Sequence, residues 1–440
     1  MALEAALFAV LLHRPDVPHH NLWLAALTFP MFLAAVGLLA HLRLSPRSAM
    51  WLVFGVGLVF QLIALTQQPL TSDDDYRYIW DGKVQLAGVD PYRYAPQASQ
   101  LRYLHDELLF GASDHCGHLI PTGCTAINRP SVHTVYPPVA QAAFTLVRLG
   151  SLGGHGGRLP FQLVAAAGAM AIALLLIRHT LARAGPMWLT ALWAWCPVTV
   201  SEFGNNAHID WLAVLLSVLA VTAFAKGRVG VAGLFIGAAI ATKLYPALLL
   251  PALLRRRPAV LVGSAAGLVA ASYLPHVMAV GSKVIGFLPG YLHQEGYGSG
   301  RRLLLIGSVV PHPFDVIVGA LIAAAVAAWV WRRTDPSAPE RTAVVLAGTA
   351  FLIATPNYGW YAALLIALVV MSGAWEWTPV ALAPTATYLY RGEFLHSGVS
   401  SATIYLLAGL LTATAYLVRG WVGKHINLTL SHPAITGGSL

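Results

Sequence analysis

Three consecutive aspartates, Asp73–Asp75, are separated by seven residues from the end of the apolar run Trp51–Leu65. A helix over Asp74–Ala87 would carry one apolar stripe and place Arg77 and Asp81 at the i, i+4 spacing of an ion pair. Successive helical residues diverge by about 100°, so at most two of the three aspartates can face one site, and one is expected to cap the helix. A carboxylate at such a helix mouth can act as general base for a hydroxyl. The alternative is that all three only cap the helix and mark the water boundary.

The composition decides which medium surrounds this helix. The chain has 440 residues, of which 57% are hydrophobic and only 10% are charged, whereas a soluble domain carries about 25% charged residues. Repeated apolar segments of about 15–23 residues identify the medium as a bilayer. The sequence therefore predicts an all-α polytopic membrane protein in the cell membrane, with membrane lipids as partners. It contains no GxxxxGK[ST] and no GxGxxG after a strand, which argues against a nucleotide-driven pump.

Lysine and arginine set the predicted orientation. The net charge of +9 comes mostly from short loops between apolar segments, a pattern typical of membrane topology that predicts no nucleic-acid partner. If Pro137–Leu149 crossed the membrane, Arg178, Arg183 and later clusters would lie outside, so we expect this run to stay at the outer surface. Function is then expected at the extracytoplasmic face. The predicted divisions are 1–67, N-terminal transmembrane helices; 68–158, external loop with interfacial helices and the acidic motif; 159–276, transmembrane helices; 277–312, second external loop; and 313–440, C-terminal helices and tail.

The aspartates belong to a longer pattern, D-x-D-Y-x-x-x-x-D…G-x-(N/D)-P-Y-x-Y-x-P followed by Y-P-P. It resembles the first external loop of GT-C membrane glycosyltransferases, above all the glycosyltransferase family 87-like, polyprenol-phosphate-mannose-dependent mannosyltransferases of bacterial envelopes. The matching residues are Asp73, Asp75, Tyr76, Asp81, Gly88, Pro91, Tyr92, Tyr94, Pro96, Tyr136, Pro137 and Pro138. With the apolar segments, the resemblance implies a GT-C-type bundle of about 11–13 transmembrane helices with interfacial helices in a long first external loop.

The resemblance also implies an activity. An inverting transfer would move a hexose, with mannose first, from a polyprenyl-phosphate donor to a glycolipid or glycan acceptor, while an aspartate deprotonates the acceptor hydroxyl. Relatives with D-x-D implicate Asp73 and Asp75, and relatives with D-x-Y-x-Y select Asp74, which we place first. No cofactor is required for such a leaving group, although some GT-C enzymes use a divalent metal, so metal dependence stays open. An arabinofuranosyltransferase with a decaprenyl-phosphate donor is the alternative within this class.

Three further segments resemble motifs of these enzymes. Ala354–Ala362 reads A-T-P-N-Y-G-W-Y-A and resembles a P-W-Y motif near the donor phosphate, but the histidine of several relatives is replaced here. Gly204–Asp210 resembles a G-x-x-D segment whose polar groups suit sugar hydroxyls or cap a helix, and Lys243–Pro246 is K-L-Y-P. The candidate substrate-binding residues from these segments are Asn357, Tyr358, Trp360, Tyr361, Asn206, His208, Asp210, Lys243 and Tyr245.

Basic residues at the outer face are candidates for a phosphate site. Lys243, between two apolar segments, could neutralise a donor phosphate or merely snorkel. Arg301 and Arg302 could clamp a lipid phosphate, with His293 and Glu295 near the acceptor; the alternative is a solvated loop. The remaining candidates, from the first external loop, are Tyr76, Arg77, Asp81, Tyr92, Tyr94, His133 and Tyr136.

Cys116 and Cys124 lie in the predicted external segment, where two nearby cysteines favour a disulfide. A zinc site with the neighbouring histidines fits less well, because the spacing is not a standard one.

Two other functional classes compete with an enzyme. A lipid transporter or flippase would place ionisable residues at mid-bilayer in repeated halves, and a scaffold gives no reason for the dense Asp/Tyr/Arg loop.

Overall fold

The computed structural model describes residues 22–111, 117–151, 157–296, 302–393 and 400–430, and this part of the chain is mainly helical. The α-helices are α1 Leu22–His41, α2 Pro46–Ala64, α3 Asp74–Leu86, α4 Glu107–Phe110, α5 Pro138–Gly150, α6 Leu159–Ala182, α7 Trp188–Ala194, α8 Pro197–Thr199, α9 Asp210–Ala225, α10 Val229–Ile240, α11 Leu250–Leu253, α12 Pro258–Val280, α13 Leu288–Gln294, α14 Leu304–Gly307, α15 Phe314–Arg333, α16 Glu340–Ala354, α17 Ala362–Ser372, α18 Thr378–Glu393 and α19 Ser401–Leu430. Short 3₁₀ helices cover Ser99–Leu104, Tyr245–Leu249, Gly281–Ile285, Gly359–Tyr361 and Trp375–Trp377, and a π-helix covers Val200–Asn205. Strands β1 (His118–Ile120) and β2 (Gly123–Thr125) form an antiparallel hairpin with Leu119 opposite Cys124.

The prediction of an all-α polytopic membrane protein is confirmed. Five helices in the described ranges are long and apolar enough to cross a bilayer: α2, α6, α12, α15 and α19. Shorter apolar helices occupy Leu27–His41, Asp210–Ala225, Val229–Ile240 and Gly359–Ser372. Helices suit this medium because lipid offers the backbone no hydrogen bonds, so every polar backbone group must find its partner within the segment.

The bundle has a closed centre and an apolar periphery. In α17 every residue from Ala362 to Met371 is buried, and α6 packs beside it. By contrast, α15 and α19 expose large apolar side chains, such as Leu321 and Leu417. Apolar side chains face outward at this density where the neighbour is lipid.

Helix α3 forms almost as predicted. It begins at Asp74, and Gly88 ends it with φ +76°. The amides of Gly88 and Val89 donate to the carbonyls of Gln85 and Val84, which is a Schellman motif. The predicted single apolar stripe is incomplete, because the protein covers both faces of α3.

Packing against α5 explains this burial. The ring of Tyr78 stacks on Phe144 at 4.4 Å, and a methyl group at Gly82 would lie 2.7 Å from the Phe144 carbonyl oxygen. Lys83 pairs with Asp106 at 2.6 Å. The first turn of α3 is therefore held by the protein body.

The chain is irregular between α7 and α9. The π-helix Val200–Asn205 follows two short helical pieces, and Ala207 has φ +57°, a conformation that is costly for a residue with a Cβ. Single π turns are frequent at functional sites. This stretch brings Glu202 and His208 close to the start of α3.

Candidate active site

A cavity of about 690 Å³ lies beside the start of α3. One part of its wall is polar and comes from the start of α3, the 128–137 segment and Lys243, which follows α10. The other part is apolar and comes from α13, α16 and α17. The residues lining it are Thr71, Ser72, Asp73, Asp74, His118, Asn128, Arg129, Val135, Tyr136, Pro137, Lys243, Leu244, Tyr245, Leu248, Leu288, Tyr291, Leu292, Ala347, Ala350, Phe351, Ala354, Pro356, Tyr358, Trp360, Tyr361, Leu364, Leu365 and Tyr388.

Asp74 is the best-held acid in this cavity. Its Oδ1 accepts a hydrogen bond from the Asn128 amide at 2.6 Å, and its Oδ2 accepts one from the Tyr136 hydroxyl at 3.0 Å. Burial opposes its ionisation, yet His208, Lys243 and these hydrogen bonds together lower the pKa of Asp74 below its usual value. The carboxylate is therefore ionised at neutral pH, as a general base must be before it takes a proton.

Asp73 also lines the cavity but is more open to solvent. Its Oδ1 accepts from the same Asn128 amide at 2.9 Å, and its Oδ2 lies 3.5 Å from His118 Nε2. Its side chain is 48% exposed, against 17% for Asp74. Asp73 occupies the N-cap position, but its side chain makes no cap hydrogen bond. The two acids thus share one amide clamp, and Asp74 is the more withdrawn from water.

Asp75 points away from the other two aspartates. It is fully buried and forms a two-pronged ion pair with Arg158, whose Nη2 lies 2.7 Å from Asp75 Oδ1. The same guanidinium lies 4.2 Å from the centroid of the Tyr76 ring. Asp75 and Tyr76, predicted as a catalytic and a substrate-binding residue, therefore anchor α3 instead of lining the cavity. The prediction that at most two of the three aspartates share a site agrees with this geometry.

Lys243 brings a positive charge to the cavity, over the ring of the same Tyr136 whose hydroxyl donates to Asp74. Its Nζ lies 5.1 Å from the centroid of the Tyr136 ring and 3.3 Å from Asp210 Oδ2. Asp210 is fully buried. Both were predicted from the sequence, but the structure pairs them, so Asp210 holds the lysine and does not reach the cavity.

Arg129 is a second cation at the cavity. It follows the clamp residue Asn128, adopts φ +45°, donates from Nε to Gln294 at 3.2 Å and lies 5.7 Å from the Tyr291 ring centroid. Residues held in the left-handed region cost energy and concentrate at functional sites. The cavity therefore holds two basic side chains within reach of an anionic ligand.

Aromatic side chains form a wall of the cavity. Trp360 stacks on Tyr358 at 4.5 Å, and Tyr245 meets Tyr361 edge-to-face at 5.8 Å. The indole N–H of Trp360 has no hydrogen-bond partner among the described residues. These four residues were predicted as substrate-binding, and all four line the cavity. Asn357, predicted beside them, is buried behind this wall.

The segment 201–210 forms a tip between α8 and α9, and its polar residues face the protein interior. The Asn206 side chain accepts from the Thr71 amide at 3.3 Å and donates to the Thr71 hydroxyl at 2.7 Å. His208 is fully buried under Trp360, with their rings 4.1 Å apart. The prediction that Asn206 and His208 bind sugar hydroxyls is not supported by this placement, since neither residue lines the cavity.

Several predicted residues of the first loop hold that loop together. Arg77 and Asp81 form the predicted ion pair at 3.0 Å, and Asp81 also accepts from Thr134 at 2.6 Å. The Tyr92 hydroxyl donates to the Tyr136 carbonyl at 2.7 Å. Tyr94 and His133 are half-buried and do not reach the cavity lining. Arg77, Asp81 and Tyr92 thus make contacts within the loop and do not line the cavity.

The second loop is tied to the aromatic wall. Glu295 pairs with Arg302 and accepts from the Tyr358 hydroxyl at 3.0 Å. Both charged groups are buried, so the solvated loop expected as an alternative is wrong for this pair. His293 is exposed away from the cavity lining, and Arg301 lies outside the described residues.

Cys124 is disulfide-bonded, as predicted, while its predicted partner Cys116 lies outside the described residues. Cys124 stands on β2, next to the residue that pairs with His118. The hairpin thereby brings His118 Nε2 to 3.5 Å from Asp73 Oδ2. Within the described ranges, no group of three potential metal ligands comes together.

Sequence reasoning missed Asn128, Arg129, Arg158 and Glu202. Asn128 lies 54 positions from Asp74 and Arg158 lies 83 positions from Asp75, so no periodicity connects either pair. Glu202 carried a usable signal, because it is an isolated acid at the end of an apolar run.

The arrangement combines a base, cations and an apolar wall. Asp74 accepts from the Tyr136 hydroxyl and Lys243 lies over the Tyr136 ring, so a ligand in the cavity meets both a proton acceptor and a positive charge. Leu244, Leu248 and Phe351 extend the cavity as an apolar surface. Such a site can remove a proton from a hydroxyl and stabilise a departing anion.

Comparison with known proteins now places the chain. It matches no curated protein and no solved structure. The family model described as glycosyltransferase family 87 matches residues 134–356, slightly more than half of the chain. The matched part contains Tyr136, Lys243 and the 201–210 tip, while the three aspartates precede it. The chain belongs to glycosyltransferase family 87.

Proposed function

We propose that this glycosyltransferase transfers mannose from a polyprenyl-phosphate donor to a glycolipid or glycan acceptor, with inversion, at the extracytoplasmic face of the membrane. The observation that carries the proposal is the two-part cavity wall. Leu244, Leu248 and Phe351 suit an isoprenoid chain, and Asp74 and Lys243 lie where the phosphate and sugar of such a donor would follow.

The proposed reaction is a single displacement. The acceptor hydroxyl oxygen bonds to the anomeric carbon on the face opposite the phosphate. The bond from that carbon to the phosphate oxygen breaks, and its electron pair leaves with the lipid phosphate. Asp74 takes the hydroxyl proton. Lys243 and Arg129 offset the charge that develops on the phosphate, as cations do for a departing phosphoryl group.

Asp74 is proposed as the base ahead of Asp73 on three grounds. It is the more buried of the two, it accepts hydrogen bonds from both Asn128 and Tyr136, and Lys243 lies over the ring of that same tyrosine. A fixed carboxylate keeps the reacting atoms oriented, which contributes as much to rate as proton transfer itself.

The decisive assay uses the purified protein in lipid nanodiscs with radiolabelled donors. Polyprenyl-phosphate mannose, decaprenyl-phosphate arabinose and a nucleotide-linked mannose are each offered with extracted envelope glycolipids. We expect label transfer from the first donor only. Transfer from arabinose alone would replace the proposed sugar, and transfer from the nucleotide donor alone would overturn the lipid-phosphate donor. We further propose that no metal is required, so turnover should survive EDTA.

The proposed orientation has its own test. Tyr103 is 68% exposed on the segment that follows α3, and Leu42 is 49% exposed beside the basic end of α1. In a background without the three native cysteines, Tyr103→Cys in intact cells should react with a membrane-impermeant maleimide, whereas Leu42→Cys should react only after lysis. The reverse pattern would place the cavity on the cytoplasmic side.

A further inference from the structure

One buried imidazole stands between two carboxyl groups behind the cavity. His208 Nδ1 lies 3.7 Å from Asp74 Oδ2, and His208 Nε2 lies 3.3 Å from Glu202 Oε2. The ring is fully buried and stacks on Trp360. Neither nitrogen makes a hydrogen bond within the described residues, although each lies at ion-pair distance from a carboxyl oxygen. Because His208 does not line the cavity, it can act on the substrate only through Asp74.

The backbone is bent to make this contact. Glu202 lies in the π-helix, and the His208 amide donates to the Glu202 carbonyl at 2.9 Å, with Ala207 between them at φ +57°. On the far side, a methyl group at Gly359 would lie 2.6 Å from Glu202 Oε1. Strained positions and π turns persist where the surroundings require them. The π-helix, the left-handed conformation of Ala207 and the absence of a side chain at Gly359 thus all help to place the Glu202 carboxyl group.

The charged groups around Glu202 and His208 affect which of these two side chains carries a proton. The titratable groups facing it are Asp73 and Asp74 at the start of α3, Asp210 and Lys243, and Tyr388 of α18. Burial raises the pKa of Glu202 to about 8, although the hydrogen bond that its Oε2 accepts from Asn206 acts to lower this pKa. Burial also lowers the pKa of His208. At neutral pH the carboxyl group therefore holds a proton and the imidazole is neutral.

We propose that Glu202 and His208 are positioning residues that fix the orientation of the Asp74 carboxylate. The acid O–H of Glu202 donates to His208 Nε2. A neutral imidazole has one N–H, so that hydrogen must then sit on Nδ1, where it is aimed at Asp74 Oδ2. The inference rests on the proposed role of Asp74 as base, and it adds a buried carboxylic acid to the machinery of the transfer.

The pair makes turnover sensitive to alkali. When Glu202 releases its proton to solvent, its carboxylate becomes an acceptor, and the single imidazole hydrogen moves from Nδ1 to Nε2. Asp74 Oδ2 then faces a lone pair instead of a donor. It keeps its hydrogen bond from Tyr136 but loses the electrostatic attraction of the imidazole N–H, so the base is held less firmly.

The test compares pH profiles of kcat for polyprenyl-phosphate mannose transfer. Wild-type kcat should fall as pH rises through about 8. In Glu202→Gln the amide donates to Nε2 at every pH, so the fall should be absent. In His208→Ala, kcat should drop by about tenfold to a hundredfold with the KM for the donor unchanged. A Glu202→Gln profile that superimposes on the wild-type profile would overturn the proposal and leave the transferase function standing.

Glu376→Gln is the matched control. Glu376 is also a buried carboxyl group, but it pairs with Arg419 at 2.7 Å at the opposite end of α17 from Trp360. Its variant should keep the alkaline fall. If Glu376→Gln also abolished the fall, Glu202 would not be its source.

A second readout needs no turnover. The infrared carbonyl band of a protonated carboxyl group should be present in wild type at pH 7, vanish above pH 8, and be missing from Glu202→Gln at both pH values. A spectrum at pH 7 that Glu202→Gln leaves unchanged would refute the protonated acid even if no donor were ever turned over. Failure of every donor with this band intact would instead count against the proposed transfer.

Discussion

Replacing each of the three aspartates by asparagine should produce three different defects. Asparagine keeps the size of the side chain but removes its charge and its ability to take a proton. Asp74→Asn should abolish most turnover while leaving the fold intact, because the Tyr136 hydroxyl can rotate to accept from the new amide group. Asp73→Asn should retain substantial turnover, because this acid is half exposed. Asp75→Asn should weaken the fold.

The magnitudes follow from the contacts. Loss of a general base lowers rate by about a hundredfold to ten-thousandfold, or about 2.7–5.4 kcal/mol of activation free energy. Asp75 is fully buried against Arg158, whose side chain is 10% exposed. Breaking such a pair from one side costs about 3–5 kcal/mol of unfolding free energy, since the guanidinium keeps its charge without a partner.

Two measurements separate these outcomes. Single-turnover transfer from radiolabelled polyprenyl-phosphate mannose gives the chemical rate per folded molecule, and thermal unfolding in the same detergent gives stability. Asp74→Asn should lose rate with an unchanged Tm. Asp75→Asn should lose Tm, and its surviving folded fraction should react at a rate within about tenfold of wild type.

The assignment of the base would be refuted by a simple result. If Asp74→Asn kept its rate within threefold of wild type while Asp73→Asn lost two orders of magnitude, the exposed acid would be the base. If all three variants kept the wild-type rate, this cavity would contain no aspartate base.

Three other substitutions test the surroundings. Asn128→Ala removes a hydrogen-bond donor that lowers the pKa of Asp74, so the acid limb of the pH profile of kcat should move to higher pH. An acid limb that stays in place would show that Asn128 does not stabilise the ionised Asp74. Gly359→Ala should lower kcat and Tm together, because its methyl group would lie 2.6 Å from Glu202 Oε1; a Tm equal to that of wild type would show that the site has room. Cys124→Ser should lower the unfolding free energy by about 2–5 kcal/mol, and reductant should then have no further effect on its Tm, whereas it should lower the Tm of wild type.

Local patterns carried the sequence predictions that succeeded. The start of α3 and the Arg77–Asp81 pair both follow from spacings of a few residues, so periodicity and helix-capping rules suffice for them. The separation of Asp75 from Asp74 follows from helical geometry in the same way. The family match likewise agrees with the motif read from this loop.

Long-range contacts account for what the sequence did not predict. Asn206 and His208 are polar residues at a helix mouth, which suits either sugar binding or internal support. Asn206 contacts Thr71 and His208 contacts Glu202, and these contacts, which make both residues internal supports, appear only when the chain is folded. Lys243 and Asp210 were each recognised alone, but 33 positions separate them, and neither helix pattern indicates that they meet.

The first turn of α3 is intolerant of insertions and deletions, because Asp74 faces the cavity while the next residue, Asp75, pairs with Arg158. Removing one of the three aspartates leaves an acidic run of nearly the same composition, yet it advances every later side chain by about 100° around the axis. Arg158 would then draw on the carboxylate that the cavity needs, or else remain without its partner. Among related chains, substitutions in this run should therefore be commoner than changes of its length.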